Sequence, residues 1–447
     1  MKKCLLFFFV AGICVQLTAQ SIEEKMDQVM NAFVSQKKFN GSVLVAQKGR
    51  VMYEHGFGYR NAEQKLANDA NSIFQIGSIT KQFTAAVIMQ LKQENKLKLD
   101  QSLEQYFPGF PNGNSITIEH LLTHTSGLHN YTDDSVIMNN DVSRSYTQEE
   151  LLHIFKTYKP DFDPGTKWNY SNTAYSLLGY IIQKIESKPY EMVVRERILD
   201  PLGMRNSGFN FTHLNHPDKT KGYFTLQPGI VKAPVVDSTL SYAAGALYST
   251  IGDLYKWERA IYSNRILKPE SWKAVFTPFK NSYGYGWFID SLYNLPVTSH
   301  SGGIHGYTSY ILRFPLQELT VIVLDNTSSR SIVKMAETLS AVALGETYEL
   351  PREKEGIMIG ESILKQYVGE YQIAPGFNIT IKMDNGKLLA QATGQAAVEL
   401  FAEKENLFFL KVVEAKIEFV RDEKGHVNGL VLHQNGQQAS GKRINQE

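Results

Sequence analysis

Cysteine is almost absent from this 447-residue chain, which holds only Cys4 and Cys14, both in the opening stretch MKKCLLFFFVAGICVQLTAQ. Lys2 and Lys3 make a basic start, Cys4 to Val15 an apolar core and Leu17-Thr18-Ala19 a small-residue ending. That is the pattern of a secretory signal peptide over residues 1–19, and it predicts a periplasmic or secreted protein. The mature chain is then expected to carry no cysteine, which removes disulfide frameworks, thiol nucleophiles and zinc–thiolate sites together. The apolar core is short for a membrane span, so a membrane enters only if the leader stays uncleaved. Net charge is lacking too. With 46 Lys+Arg against 45 Asp+Glu the formal charge is +1, so nothing points to nucleic acid as a partner. No GxSxG is present, which removes the nucleophile elbow of the α/β-hydrolases, and no repeat of 20–50 residues stands out.

What is present is a globular composition: 43% hydrophobic residues, with 23 Tyr and 24 Phe, far too apolar for a disordered chain. SIEEKMDQVMNAFVSQKK has helical apolar spacing, and GSVLVAQKGRVMYEHGFGYR reads as a hairpin about Lys48-Gly49. From Ser72 to about residue 200 the pattern is helical. Strand patterns return in GYGWFID, YTSYILRFP and LTVIVLDN, followed by a helical SIVKMAETLSAVALG. An antiparallel sheet built from both ends of the chain, flanked by helices and joined to a helical lobe, is expected over residues 20–346. PREKEGIMIGES reads as a linker, placed at 347–362. Beyond it, short alternating runs with Asx-Gly-type turns predict an all-β, barrel-like domain over 363–447.

A cysteine-free enzyme must take its nucleophile from Ser, Thr, Tyr, Lys or a carboxylate. Ser-x-x-Lys occurs at Ser78/Lys81, but also at Ser35/Lys38, Ser331/Lys334 and Ser362/Lys365. Only Ser78 opens a run, SITKQFTAAVIMQL, that is apolar on nearly every face and so predicts a buried helix. A serine in its first turn lies near unpaired N–H groups and the positive dipole end. A lysine three positions on shares its face, and burial lowers a lysine toward service as a base. Tyr170-Ser171-Asn172 precedes the apolar helix TAYSLLGYIIQKI and can aim a phenol and an amide into one cleft. The same Tyr-x-Asn pattern recurs at Tyr59 and Tyr262. His300-Ser301-Gly302-Gly303 precedes a strong strand pattern, with glycines that let backbone N–H groups approach a ligand and a histidine expected at the mouth of the site. His120, His124 and His129 suggest a zinc helix, but Leu121 stands where HExxH has its glutamate, so no metal and no cofactor is expected.

In this order, Ser-x-x-Lys, Tyr-x-Asn and His-x-Gly before a strand resemble the penicillin-recognising serine hydrolases, in particular the class C β-lactamase-like branch with DD-peptidases, D-aminopeptidases and esterases. The phrases IFQIGSITKQFTA, LLTHTSGL, FDPGTKWNYSNTAYSLLGYII, PLGMRNSGF, AAGALYST and HSGGIHGY are similar to that branch as well. The resemblance implies the α+β β-lactamase/penicillin-binding-protein fold and an acyl-enzyme on Ser78. Lys81 and Tyr170 would share the acid–base work, and Asn172 would bind the substrate amide. The backbone N–H groups of Ser78 and Gly303 would form the oxyanion hole, with His300, Ser301 and Gly302 at the substrate. Histidine at 300, where many relatives carry lysine, favours peptides or peptidoglycan fragments over β-lactams. An ester or β-lactam substrate at the same site is the alternative; a non-catalytic sensor is another, which intact Ser78, Lys81, Tyr170 and Asn172 argue against. The C-terminal strands with YVGEYQ resemble a lipocalin-like domain. Segments 129–150 and 205–240 are expected to shape the pocket, while oligomeric state is not written in the sequence.

Overall fold

In the computed structural model the described residues are 20–140, 142–226, 229–351, 355–395, 397–411, 415–434 and 437–444. The predicted leader, residues 1–19, lies outside them. The chain divides into two compact units at Pro351/Arg352.

The first unit is built on a six-stranded antiparallel sheet. Its strands are β1 (Gly41–Gln47), β2 (Arg50–Phe57), β3 (Phe288–Leu292), β4 (Leu295–Ile304), β5 (Tyr307–Phe314) and β6 (Leu319–Asp325), in the order β2-β1-β6-β5-β4-β3. The two ends of the unit therefore meet at the β1–β6 pair, registered Val43↔Val323 and Val45↔Val321. Alternation along each strand sends successive side chains to opposite faces. One face buries Val43, Val45, Val321 and Val323 beneath helices α1 (Ile22–Ser35) and α5 (Ile332–Leu344). Helix α1 follows from its sequence: Ser21 and Glu24 form a capping box, and Met26, Val29, Met30 and Phe33 recur along one face. The opposite face buries Leu44, Ile311, Ile322 and Leu324 against the helical lobe. Within that lobe run α2 (Thr80–Gln93), α3 (Asn172–Glu186) and α4 (Ser238–Gly245).

Two expectations change. GYGWFID becomes a strand only from Phe288, because Gly286 at φ 78° turns the chain first. His300–Gly303 precede the expected strand, β5, but they also lie inside a strand of their own, β4, which Pro296 and two glycines had concealed. Its pairing with β5, from Thr298↔Arg313 to Ile304↔Tyr307, outweighs that weak local preference.

The second unit is a closed barrel of eight antiparallel strands: β7 (Gly369–Ala374), β8 (Phe377–Asp384), β9 (Lys387–Ala392), β10 (Val398–Ala402), β11 (Leu407–Leu410), β12 (Ala415–Arg421), β13 (Val427–Gln434) and β14 (Gln437–Ile444). Each strand pairs with the next, and β14 returns to β7 through Tyr371↔Arg443. Tyr367, stacked on Phe419 at 4.1 Å between ring centroids, and Tyr371 lie in its buried cluster with Ile381, Leu388 and Phe408.

Candidate active site

Ser78 sits in a tight 3₁₀ turn, Gly77–Ile79, that leads directly into α2. The helix is buried almost all round, as its composition predicts, and Lys81 in its first turn is 0% exposed. The Lys81 Nζ lies 3.1 Å from Ser78 Oγ, 2.7 Å from Asn172 Oδ1 and 2.8 Å from Ala244 O. No carboxylate is among these partners, and burial holds the amine well below the ordinary lysine range. The partners also decide where its hydrogens go. Asn172 Oδ1 and Ala244 O can only accept, so a neutral amine gives them both of its hydrogens and turns its lone pair to the Ser78 hydroxyl.

Ala244 O reaches Lys81 because α4 is kinked at Tyr242, whose φ of 36° is outside the helical range. Beyond the kink, in the last turn of α4 where carbonyls lack helical partners, Ala243 O accepts from Thr84 Oγ1 and Ala244 O from Lys81. Asn172 is the first residue of α3, capped by Ser171, and its Nδ2 donates to Thr132 Oγ1 at 3.0 Å. That leaves one Nδ2 hydrogen for a ligand.

Tyr170 packs its ring against Lys81 Nζ, 4.7 Å from the centroid. Its hydroxyl oxygen is buried without a well-aligned partner among the described residues, and Ser78 is the hydroxyl that faces it. Burial raises this phenol above the ordinary tyrosine range, so it stays protonated.

The sheet edge closes the site. Pairing of β4 with β3 ends at Ser299↔Phe288, and the following residues pack against the Ser78 turn. A Cβ on Gly77, itself at φ 50°, would stand 2.8 Å from Gly303 N, which places the Gly303 amide beside the start of α2. Ser78, Asn172 and Gly303 line a cleft of about 380 Å³. Tyr131, Thr132 and Met138 line it from one expected segment, Phe224, Val236 and Leu240 from the other; Ser241, Ala244 and Gly245 add the kinked helix, and Ile304, His305, Tyr307, Thr308 and Ser328 the sheet.

His300 departs from expectation. It is 1% exposed and not among the lining residues. The Nδ1–H donates to Ser301 O and Nε2 accepts from Tyr283 Oη, while burial and nearby Lys81 push it down to about 3. Strand register places it on the buried face of β4 with Gly302, its ring 6.3 Å from that of Tyr170, so it packs beside the phenol instead of standing at the mouth of the cleft. Ser301 is exposed but also outside the cleft lining. The other histidines are separately engaged. His120 Nδ1 accepts from Thr117 N, His124 Nδ1 from Ser171 N, and His129 Nδ1 pairs with Asp161 Oδ1. Among the described residues no cluster of His, Cys, Asp or Glu is placed to hold a metal.

A buried, uncompensated lysine against a serine at a helix start, with a protonated phenol and the Gly303 amide beside the serine turn, defines a serine hydrolase of the acyl-transfer kind. The chain belongs to the Beta-lactamase family, whose match spans residues 19–344. Residues 355–443 match a domain of unknown function, DUF3471. The chain is similar to a Bacillus subtilis penicillin-binding protein, 27% identical over 95% of this chain and 99% of that one. Among solved structures it is similar to the octameric penicillin-binding protein homologue of Pyrococcus abyssi, with TM-score 0.65 and 28% identity over 94% of this chain and 99% of the other. It is also similar to a D-stereospecific amidohydrolase from Streptomyces, with TM-score 0.62 and 25% identity over 72% and 99% of the two chains.

Proposed function

We propose that this protein is an exported hydrolase that forms an acyl-enzyme on Ser78 and cleaves amide bonds in D-amino-acid peptides or peptidoglycan fragments. The observation that carries this reading is the hydrogen-bond pattern of Lys81, two obligate acceptors and the serine hydroxyl around an amine with no counter-ion. In acylation Ser78 Oγ–H passes its proton to Lys81 Nζ as Oγ attacks the carbonyl carbon. The oxyanion meets the Ser78 and Gly303 N–H groups. Collapse breaks the C–N bond; the Tyr170 phenol protonates the leaving nitrogen and takes a proton back from Lys81. Water then enters by the same relay in reverse and frees Ser78. Asn172 uses its remaining Nδ2 hydrogen on the substrate carbonyl next to the scissile bond. The likeness to a D-stereospecific amidohydrolase supports an amide substrate; the predicted leader supports export. The cleft lining, uncharged among the described residues, favours carboxylic esters as a second substrate class.

Labelling tests the reading. Incubation with a fluorophosphonate and a fluorescent penicillin, followed by peptide mass mapping, is expected to place the fluorophosphonate adduct on Ser78. A protein unlabelled at Ser78 by both probes would overturn it.

A further inference from the structure

Resting on that reading, we infer that the substrate of this site is uncharged around the scissile bond and carries a bulky apolar group, rather than ending in a free carboxylate. Among the described residues no Lys, Arg, Asp or Glu lines the cleft. The basic groups around the serine offer no exposed cation there: Lys81 is 0% exposed with its amine well below the ordinary lysine range, and His124 and His300 are 0% and 1% exposed and outside the lining. Burial also keeps the lining His305 below the ordinary histidine range. A carboxylate entering this cleft gives up hydration without meeting a partner, a loss that a neutral amide or ester avoids. The walls supply the complementary attraction. Met138, Val236, Leu240 and Ile304 are lining residues, and Phe224 stands at the rim 48% exposed, its ring 5.7 Å from that of His305. Ile230 and Val231, on the same excursion of chain as Phe224, are 46% and 49% exposed. This apolar surface runs from Phe224 inward to the reacting serine and fits an acyl or side chain longer than a methyl group.

Two substrate comparisons on the full-length protein test this. D-Phe–D-Ala and its C-terminal amide differ only in the terminal charge, and kcat/KM is expected to be at least about tenfold higher for the amide. Among p-nitrophenyl esters, octanoate is expected to exceed acetate by at least about 10²-fold, since each methylene that is buried adds about fourfold and three or four of the six suffice, and Phe224→Ala to shrink that ratio. Preference for the free carboxylate, or equal rates across the esters, would overturn the inference. Acetate turnover that does not depend on Ser78 would instead overturn the reading beneath it.

A different set of contacts assigns a positioning role to His124, which we propose holds Tyr170 at the serine. His124 is 0% exposed and sits at φ 57°. Its carbonyl accepts from Asn169 N at 3.0 Å and its Nδ1 from Ser171 N at 3.1 Å, so one residue pins the backbone on both sides of Tyr170. The imidazole also packs on the Tyr170 ring, 4.3 Å between centroids. Burial lowers it well below the ordinary histidine range, which favours an Nδ1 that accepts. His124→Asn keeps an acceptor near the Nδ1 position and tolerates the left-handed backbone; His124→Ala keeps neither. We expect kcat to fall about 10–10²-fold in the alanine variant with little change in KM, and the asparagine variant to recover most of it. Equal losses in the two variants, or a loss confined to thermal stability, would overturn the role.

Discussion

Ser78→Ala and Lys81→Met are each expected to lower kcat by about 10⁴–10⁶-fold, and the double variant to be no slower than the worse single one. Groups that act in one proton transfer fail together: without the Ser78 hydroxyl the lysine has no proton to receive, and without the lysine the hydroxyl has no acceptor 3.1 Å away. Residual turnover comes from binding and from the Ser78 and Gly303 amides, which neither change removes. The wild-type pH profile carries a second, independent sign. The lone pair does the work, so kcat/KM is expected to fall as pH drops through the Lys81 pKa, a limb well below that of an ordinary lysine because burial favours the neutral amine. Independent, multiplicative losses in the double variant would mean that the two residues do not share a step. Thermal melts control for folding, since Lys81→Met leaves Asn172 Oδ1 and Ala244 O short of a donor at about 1–3 kcal/mol each.

Much of this site was legible because its residues needed sequence context rather than contacts. Four Ser-x-x-Lys pairs occur, yet only Ser78 opens a helix apolar on all faces; Ser35 ends α1, Ser331 precedes α5 and Ser362 lies in the short helix Glu361–Tyr367. The hairpin about Lys48-Gly49 and the central pair β1–β6 were equally plain, the strands as apolar runs and the turn by its left-handed residues. The lysine's third partner was not legible, because a backbone carbonyl carries no residue signature. Ala244 O is aimed by a kink at Tyr242, and only the small residues of AAGALYST hinted at close packing there. The burial of His300 was not legible for a related reason. Composition announces a histidine near a strand, but which face it takes depends on register against β5, a tertiary property. Thr132, which holds Asn172, and His124, which holds Tyr170, are ordinary residues whose roles exist only once α3 and its preceding turn have docked.

Gly302→Ala is expected to cost about 10²–10³-fold in kcat, the size of losing one oxyanion donor, although residue 302 touches no substrate and does not line the cleft. A methyl group there would stand 2.0 Å from Ile76 O and 2.3 Å from Ser309 Oγ. The hydroxyl can rotate away, at the cost of its 2.8 Å bond to Ile76 O. The carbonyl cannot, because it belongs to the residue that leads into the Ser78 turn. Relief must therefore come from β4 moving off that turn, which withdraws the neighbouring Gly303 amide from its place beside Gly77. The loss should appear in kcat with KM little altered, since the amide meets charge that develops only during reaction. Gly303→Ala supplies the contrast: a Cβ there meets nothing within 4 Å and the backbone N–H remains, so its loss is expected to stay under about tenfold. If Gly302→Ala turns over substrate at the wild-type rate, the close packing of β4 on the serine turn is not what sets the oxyanion geometry.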